Sequence, residues 1–306
     1  MFNEKTDAIH KVARIVRGAR KQLAYSQIEM ARTLNISQGS LSKIEAGQLT
    51  LTPEQWYGFC EHVRISPDQS WYSGYIDRCT STELEEGPRV GSFRIPKRYA
   101  RHRGSKVRSV RPILSYFEKN LGEKKLSDYL EKVNIDEDFF ITLDNQINVN
   151  FSLDLLRTLI DQGALKKNNI SELAAAYRQP NFHGALASTY QSADSKTTRF
   201  IQLAKAIKNY DVNCKYQFEN VNDQFLEISV TPNEHFKNFD YRDDTLQDCL
   251  CRYKKEAMKA FANFGTHSGN GSGIELQELE CHFTSHSPKC VYRLQITDEG
   301  RRHVFT

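Results

Sequence analysis

The chain of 306 residues is 39% hydrophobic and 26% charged, enough apolar material for two ordinary cores if domains run to roughly 100 to 200 residues each. No run of about eighteen apolar residues occurs and the N-terminal stretch carries charges throughout, so neither a membrane span nor a secretory signal is expected, and the setting reads as cytoplasmic. Seven cysteines, an odd and sparse count, argue against a disulfide framework and for free thiols or metal ligands in a reducing compartment.

The net charge of +4 is unevenly spread. Residues 1–87 carry a net −1 and residues 112–306 a net −4, while residues 88–111 hold nine basic side chains and no acidic one. These nine are Arg89, Arg94, Lys97, Arg98, Arg101, Arg103, Lys106, Arg108 and Arg111. Such a run suits phosphate contacts, because each neutralised phosphate releases condensed counterions. A solvated interdomain linker would look the same, since a charge run alone specifies nothing.

In chain order, Ile9, Val12, Ala13, Val16 and Leu23 follow helical spacing, with Arg14, Arg17, Arg20 and Lys21 around them. Ser26 and Glu29 form a capping box, so a second helix starts at Gln27 and turns Met30, Ala31 and Leu34 to one side. Asn35 stands where a left-handed turn residue is wanted. Ser37 caps a third helix, which buries Leu41 and Ile44 and closes at Gly47. Thr52-Pro53-Glu54-Gln55 is another capping box with proline at the first helical position, leading into Trp56, Phe59, Cys60 and Val63. Ser66-Pro67-Asp68-Gln69 repeats the device.

Five helices in about eighty residues, the second and third joined by a tight turn, suit a small helical DNA-binding domain. The stretch from about 8 to 68 resembles the Cro-like, or xenobiotic-response-element, class of helix-turn-helix domains. The matching positions are Gln27, Ala31, Ile36, Ser37, Leu41, Ser42, Ile44, Glu45 and Gly47. The resemblance implies that residues 37–46 are the recognition helix, entering the major groove N-terminal end first. It implies base-edge contacts for Gln38, Gly39, Ser42 and Lys43, and phosphate contacts for Gln27, Ser37 and Ser40. Gly39 takes a side chain away from a reading position, so specificity would lean on Gln38 and Lys43, whose amide and ammonium suit adenine and guanine edges.

Residues 109–210 read as mainly helical, with apolar residues three or four apart. The period then becomes two: Cys214, Tyr216 and Phe218 alternate with polar neighbours, as do Leu226, Ile228 and Val230, and a hairpin joins them. A long helix over about 243–264 collects Leu246, Cys249, Leu250, Tyr253, Ala257, Phe261 and Phe264, and the flexible "HSGNGSG" follows its closing Gly265. Two last strands carry Leu279, Cys281 and Phe283, then Cys290, Tyr292, Leu294 and Ile296, so two thiols approach near a hairpin end. Helical geometry turns Cys249 inward and Cys251 roughly 200° away from it. Three thiolates and one further ligand would suit a closed tetrahedral zinc site.

The C-terminal half, roughly 110–298, resembles the 4-vinyl-reductase-like sensor domain of bacterial regulators of aromatic-compound metabolism. Cys249, Gly265, Glu278, Cys281 and Cys290 carry the likeness. It implies an α+β unit with an antiparallel sheet, a structural zinc on Cys249, Glu278, Cys281 and Cys290, and an adjoining apolar pocket for a small effector. Strict alternation puts Glu278 opposite Cys281 unless a bulge intervenes, and His282 and His286 are rival ligands. Buried cysteines with no metal remain an alternative. Phe182, His183, Tyr190, Phe200 and Tyr216 are candidate pocket residues, with ordinary core as the other reading.

The expected molecule is therefore multi-domain, an all-α helix-turn-helix domain over 1–80, a basic linker over 81–111 and an α+β sensing and dimerisation domain over 112–306. It is expected to regulate transcription as a homodimer on double-stranded DNA, with recognition helices one DNA turn, roughly 34 Å, apart. The alternative is a metal-dependent or reductase-like enzyme with an autoregulatory DNA-binding domain. No residue set supplies an open metal position beside a general base, so no catalytic residue is assigned.

Overall fold

The computed structural model describes residues 4–78, 91–193, 198, 201–202, 205–222, 225–233, 244–262, 276–282 and 287–295. The expected sites at Phe200, Phe264, Gly265, Phe283, His286 and Ile296, and the loop 267–273, lie outside these residues. The chain divides into two units, Met1–Pro96 with Ser127–Asn145, and Lys97–Leu126 with Gln146–Thr306. A helical helix-turn-helix region precedes an α+β region with a small antiparallel sheet.

The first unit holds helices α1 (Glu4–Gln22), α2 (Gln27–Thr33), α3 (Gln38–Glu45), α4 (Pro53–Val63) and α5 (Pro67–Ser73), and α2 to α5 begin where the sequence supplies caps. The Ser26 hydroxyl accepts from the Glu29 amide at 3.2 Å, and the Glu29 carboxylate accepts from the Ser26 amide at 2.7 Å. Thr52 and Gln55 make the same reciprocal pair, while Ser37 and Ser66 cap α3 and α5. The α2–α3 turn is tight because Asn35 adopts φ 52°, and α3 ends at Gly47 with φ 70°. A side chain at Gly47 would also meet the His10 ring, at 2.6 Å from Nδ1. Val12, Ile15, Val16, Met30, Leu41, Ile44, Phe59 and Cys60 form one continuous core.

Residues 127–145 return to this bundle. A 3₁₀ turn over Glu137–Ile141 lies against α1. Both Asp138 carboxylate oxygens accept from Arg17 Nε at 2.8 Å, and Lys21 Nζ sits 2.8 Å from Asp136 and 2.6 Å from Asp138. The Ile76 amide donates to the Ile141 carbonyl and the Leu143 amide to that of Ile76, both at 2.9 Å. The approach depends on Gly18, where an added Cβ would lie 3.1 Å from Ile141 Cβ.

The second unit opens with a short helix α6 (Lys97–Ala100), strand β1 (Ser105–Lys106) and helix α7 (Val107–Leu121), which α8 (Glu123–Lys132) follows in the chain. Strand β2 (Gln146–Ile147) pairs antiparallel with β1, and helices α9 (Val149–Asp161), α10 (Ile170–Ala174) and α11 (Leu186–Gln191) come next. Strands β3 (Cys214–Asn222), β4 (Phe225–Pro232), β5 (Leu276–Glu280) and β6 (Cys290–Gln295) form an antiparallel sheet in the order β3-β4-β6-β5, with helix α12 (Asp244–Ala262) between β4 and β5 in the chain. The hairpin read at 214–231 is thus β3–β4. Over 97–111 the basic run is folded rather than free chain: Arg98 pairs with Asp154, and Arg108 is wholly buried, donating to the His183 carbonyl at 2.8 Å.

Gly18→Val forces two extra methyl groups onto Ile141 and should cost about 1–3 kcal/mol, the usual penalty of overpacking. Urea denaturation followed by circular dichroism checks this; an unchanged midpoint would mean that the 137–141 turn does not press on α1.

Candidate nucleic-acid interface and apolar cavity

Every polar position read as a DNA contact lies on or next to α3. Ser37, Gln38, Gly39, Ser42 and Lys43 are exposed, while Ser40 and Gln27 are partly so. The opposite side of the helix is closed, with Leu41, Ile44 and Glu45 buried. The Ser37 hydroxyl accepts from the Ser40 amide at 3.0 Å and contacts the Ser40 hydroxyl at 2.8 Å. The first-turn amides of α3 therefore start next to two hydroxyls, an arrangement suited to a phosphate.

Glu45 anchors this edge. Arg20, from α1, donates to it through Nε at 2.6 Å and Nη2 at 3.0 Å, a bidentate pair whose side chains are 14% and 5% exposed. Arg20 Nη1 also donates to the Tyr25 carbonyl, and Arg17 Nη1 to that of Glu45. Gln27 Nε2 then donates to the same carboxylate at 3.0 Å, and Gln27 Oε1 accepts from Gln38 Nε2 at 2.8 Å. Since a carboxylate only accepts, the Gln27 amide is oriented with oxygen toward Gln38, and Gln38 keeps its own oxygen and second N–H for a base edge. Sequence reasoning placed Glu45 in the motif but gave neither it nor Arg20 a role, because the contact joins residues 25 positions apart.

In the second unit, a cavity of about 110 Å³ lies against the inner face of the sheet. Tyr216 stands opposite Val230, and Val230 opposite Cys290, so β3, β4 and β6 present one continuous surface. Leu250, Tyr253, Ala257 and Phe261 of α12, Ile113 of α7 and Val149 of α9 complete an apolar wall, with Lys254, Asp211 and His282 as polar groups. Lys254 Nζ is 3.8 Å from Asp211 and 3.4 Å from Cys214 Sγ.

Phe182, His183 and Tyr190, read as pocket residues, are buried but do not line this cavity; Tyr177, Tyr210, Tyr216 and Phe261 do. His183 Nε2 lies 2.6 Å from the Tyr177 carbonyl, which can only accept, so Nε2 carries the proton and Nδ1 accepts from the Tyr210 hydroxyl at 2.8 Å. Tyr190 reaches the Tyr210 hydroxyl at 3.2 Å. Ring contacts with Phe261, at 4.7 Å between centroids, and with Tyr190 leave no room for solvent around the imidazole. Burial lowers its pKa to about 3, with the Arg108 charge acting in the same direction and the Tyr177 carbonyl opposing.

The four-residue zinc set does not come together. Cys249 lines a separate hollow with Ile160, Leu165, Ile170 and Thr245, while Glu278 faces Lys255 at 3.6 Å. Among the described residues no group of three or more His, Cys, Asp and Glu is arranged to hold a metal ion. A bulge does separate Glu278, paired with Tyr292, from Glu280, paired with Val291, and Leu279 is its extra residue. Cys251, the thiol expected to face elsewhere, is the one that meets the hairpin: its Sγ lies 4.0 Å from that of Cys281, and it shares the cavity lining with Cys290. The inference that Cys249 and Cys251 face apart was sound, but the sheet packs on the Cys251 side of α12. Cys290 also accepts from the His282 amide at 3.2 Å. Donation from Cys251 holds the Cys290 thiol below its ordinary pKa and drives that of Cys251 up.

The depressed His183 pKa fixes a pH dependence. Below about 6.5 the unfolded chain takes up a proton at this position and the folded chain does not, so stability falls with acidity until about pH 3. From pH 7 to 5 the expected loss from this group is about 2 kcal/mol, read by urea denaturation at each pH. Nitrogen-15 spectra of the imidazole should report a neutral ring at pH 5; a charged ring there contradicts the burial argument.

Residues 16–69 match the family model described as Helix-turn-helix. No curated protein matches the chain. Among solved structures the chain is similar to the Fe(II) unliganded H-NOX protein from K. algicida, with 12% identity, 63% of this chain and 97% of that chain covered, and a TM-score of 0.41. No described helix is long and apolar enough to cross a membrane. The span 16–69, with its exposed polar edge on α3, is a DNA-binding helix-turn-helix domain.

Proposed function

We propose that the chain is a sequence-specific transcription regulator, binding duplex DNA as a homodimer through α3 and sensing a small, largely apolar effector in the cavity of its second unit. The observation that carries the DNA reading is the exposed polar edge of α3, ordered through Gln38, Gln27, Glu45 and Arg20. With one N–H engaged by Gln27, the Gln38 amide retains one donor and one acceptor, the pair that adenine complements in the major groove. Lys43 adds an exposed cation one turn beyond Gly39. Gly39 is not required by packing, since an added Cβ would meet nothing closer than Ser37 Oγ at 3.9 Å. Its bareness therefore serves close approach of the helix to the duplex.

Support for an effector is the cavity. Roughly 150 Å³ of apolar space accepts benzene in an engineered protein, so about 110 Å³ suits a ligand with one small ring or a short branched chain. Its wall is apolar, with few polar groups to fix orientation.

Gel shifts with fragments of the gene's own upstream region at fixed salt test the reading. Gln38→Ala should weaken the best fragment by about 1–3 kcal/mol and relax preference at one base pair. Lys43→Ala should likewise weaken the best fragment by about 1–3 kcal/mol and relax preference at a second base pair. Unchanged binding in both variants would remove α3 as the reading element. For the cavity, a panel of small aromatic and aliphatic compounds should yield at least one that raises the melting temperature of the wild type but not of Ala257→Phe; a panel with no such compound would count against an effector site.

A further inference from the structure

The thiols beside the cavity support a second kind of chemistry. Cys251 projects from α12, Cys290 is the first residue of β6, and Cys281 follows the last residue of β5. All three are buried, yet Cys251 and Cys290 both line the cavity, so a small reagent that enters it meets their sulfurs directly. Cys281 does not line the cavity, although its Sγ lies 4.0 Å from that of Cys251, and the His282 amide donates to Cys290 Sγ at 3.2 Å. Cys249, on the same helix, faces the other hollow, and Cys60 is buried within the helical core of the first unit, so neither shares this arrangement.

From this juxtaposition we propose that Cys251 and Cys290 are a modification site, a vicinal pair in the cavity wall that hydroperoxides oxidise to a disulfide. The Cys290 sulfur attacks the distal oxygen of the hydroperoxide, the O–O bond breaks, and an alcohol or water leaves with a proton, giving a sulfenic acid. The Cys251 sulfur then attacks the Cys290 sulfur, the S–O bond breaks, and water leaves with the Cys251 proton. Two thiols lose two electrons and two protons, and the peroxide accepts them. The amide of His282 favours Cys290 for the first step, because an N–H directed at sulfur stabilises its electron-rich form. Closing the bridge ties α12 to the β5–β6 hairpin across the cavity wall and takes both sulfurs out of the lining.

The test uses the full chain, purified under reductant, desalted and exposed to hydrogen peroxide. Remaining thiols are alkylated before intact-mass and peptide analysis. The expected product has lost two hydrogens per chain, with Cys251 joined to Cys290 and Cys281 still alkylated. In Cys251→Ser, dimedone should capture a sulfenic acid on Cys290, and Cys281→Ser should leave the bridge unchanged. Both substitutions are small, and circular dichroism confirms that the variants fold. A bridge between Cys251 and Cys281, alkylation of all three thiols after peroxide, or about one equivalent of tightly held metal that shields them until chelated would each overturn the assignment.

Discussion

The buried pair between Arg20 and Glu45 organises the surface on which the DNA reading rests. Taking a carboxylate and a guanidinium out of water is costly, and good geometry with further hydrogen bonds is needed to offset it. Both conditions hold: the contact is bidentate, Arg20 also reaches the Tyr25 carbonyl, and the second Glu45 oxygen accepts from Gln27 as well. Such a pair adds little net stability against an apolar substitute, so its effect is orientational. It fixes the C-terminal end of α3 on α1 and sets the rotation at which Gln38, Ser42 and Lys43 emerge.

The same logic, in which a buried polar group is matched by a fixed neighbour, runs through the second unit. Arg108, His183 and Tyr190 lie behind the cavity and connect to it through Tyr210, which lines it. The cavity wall is mainly apolar, with Lys254 and Asp211 close together and Ser105, Ser109, Ser152 and His282 as further polar lining. This division keeps an imidazole neutral and rigid next to a space large enough for a small molecule. Tyr177 belongs to both layers, lining the cavity while its carbonyl accepts from His183.

The helix-turn-helix was legible because its determinants are local. Ser26, Asn35, Ser37, Gly47 and Thr52 act over three or four positions, through caps and left-handed turns, and each does what its residue type favours. Period-two alternation likewise placed β3 and β4. What was not legible depends on long-range packing. Nothing near Asp136 and Asp138 marks them as partners of Lys21 and Arg17, more than a hundred positions earlier. The basic run looks uniform, yet Arg108 is wholly buried while Lys97 and Arg101 are exposed, a distinction set by the helices around α7. Helical periodicity correctly put Cys249 and Cys251 on different sides of α12, but only the position of the sheet decides which side meets Cys281 and Cys290. The bulge at Leu279 adds a change of register that alternation cannot foresee.

The most direct measurement of the central claim is a titration of nitrogen-15-labelled full-length protein with a duplex drawn from its own upstream region, followed residue by residue. The side-chain amides of Gln38 and Gln27 and the backbone amides from Ser37 to Lys43 should shift together as the duplex is added, with α5 unaffected. Shifts confined to other surfaces, with the α3 edge silent at saturating duplex, would contradict the claim that this helix is the element facing DNA.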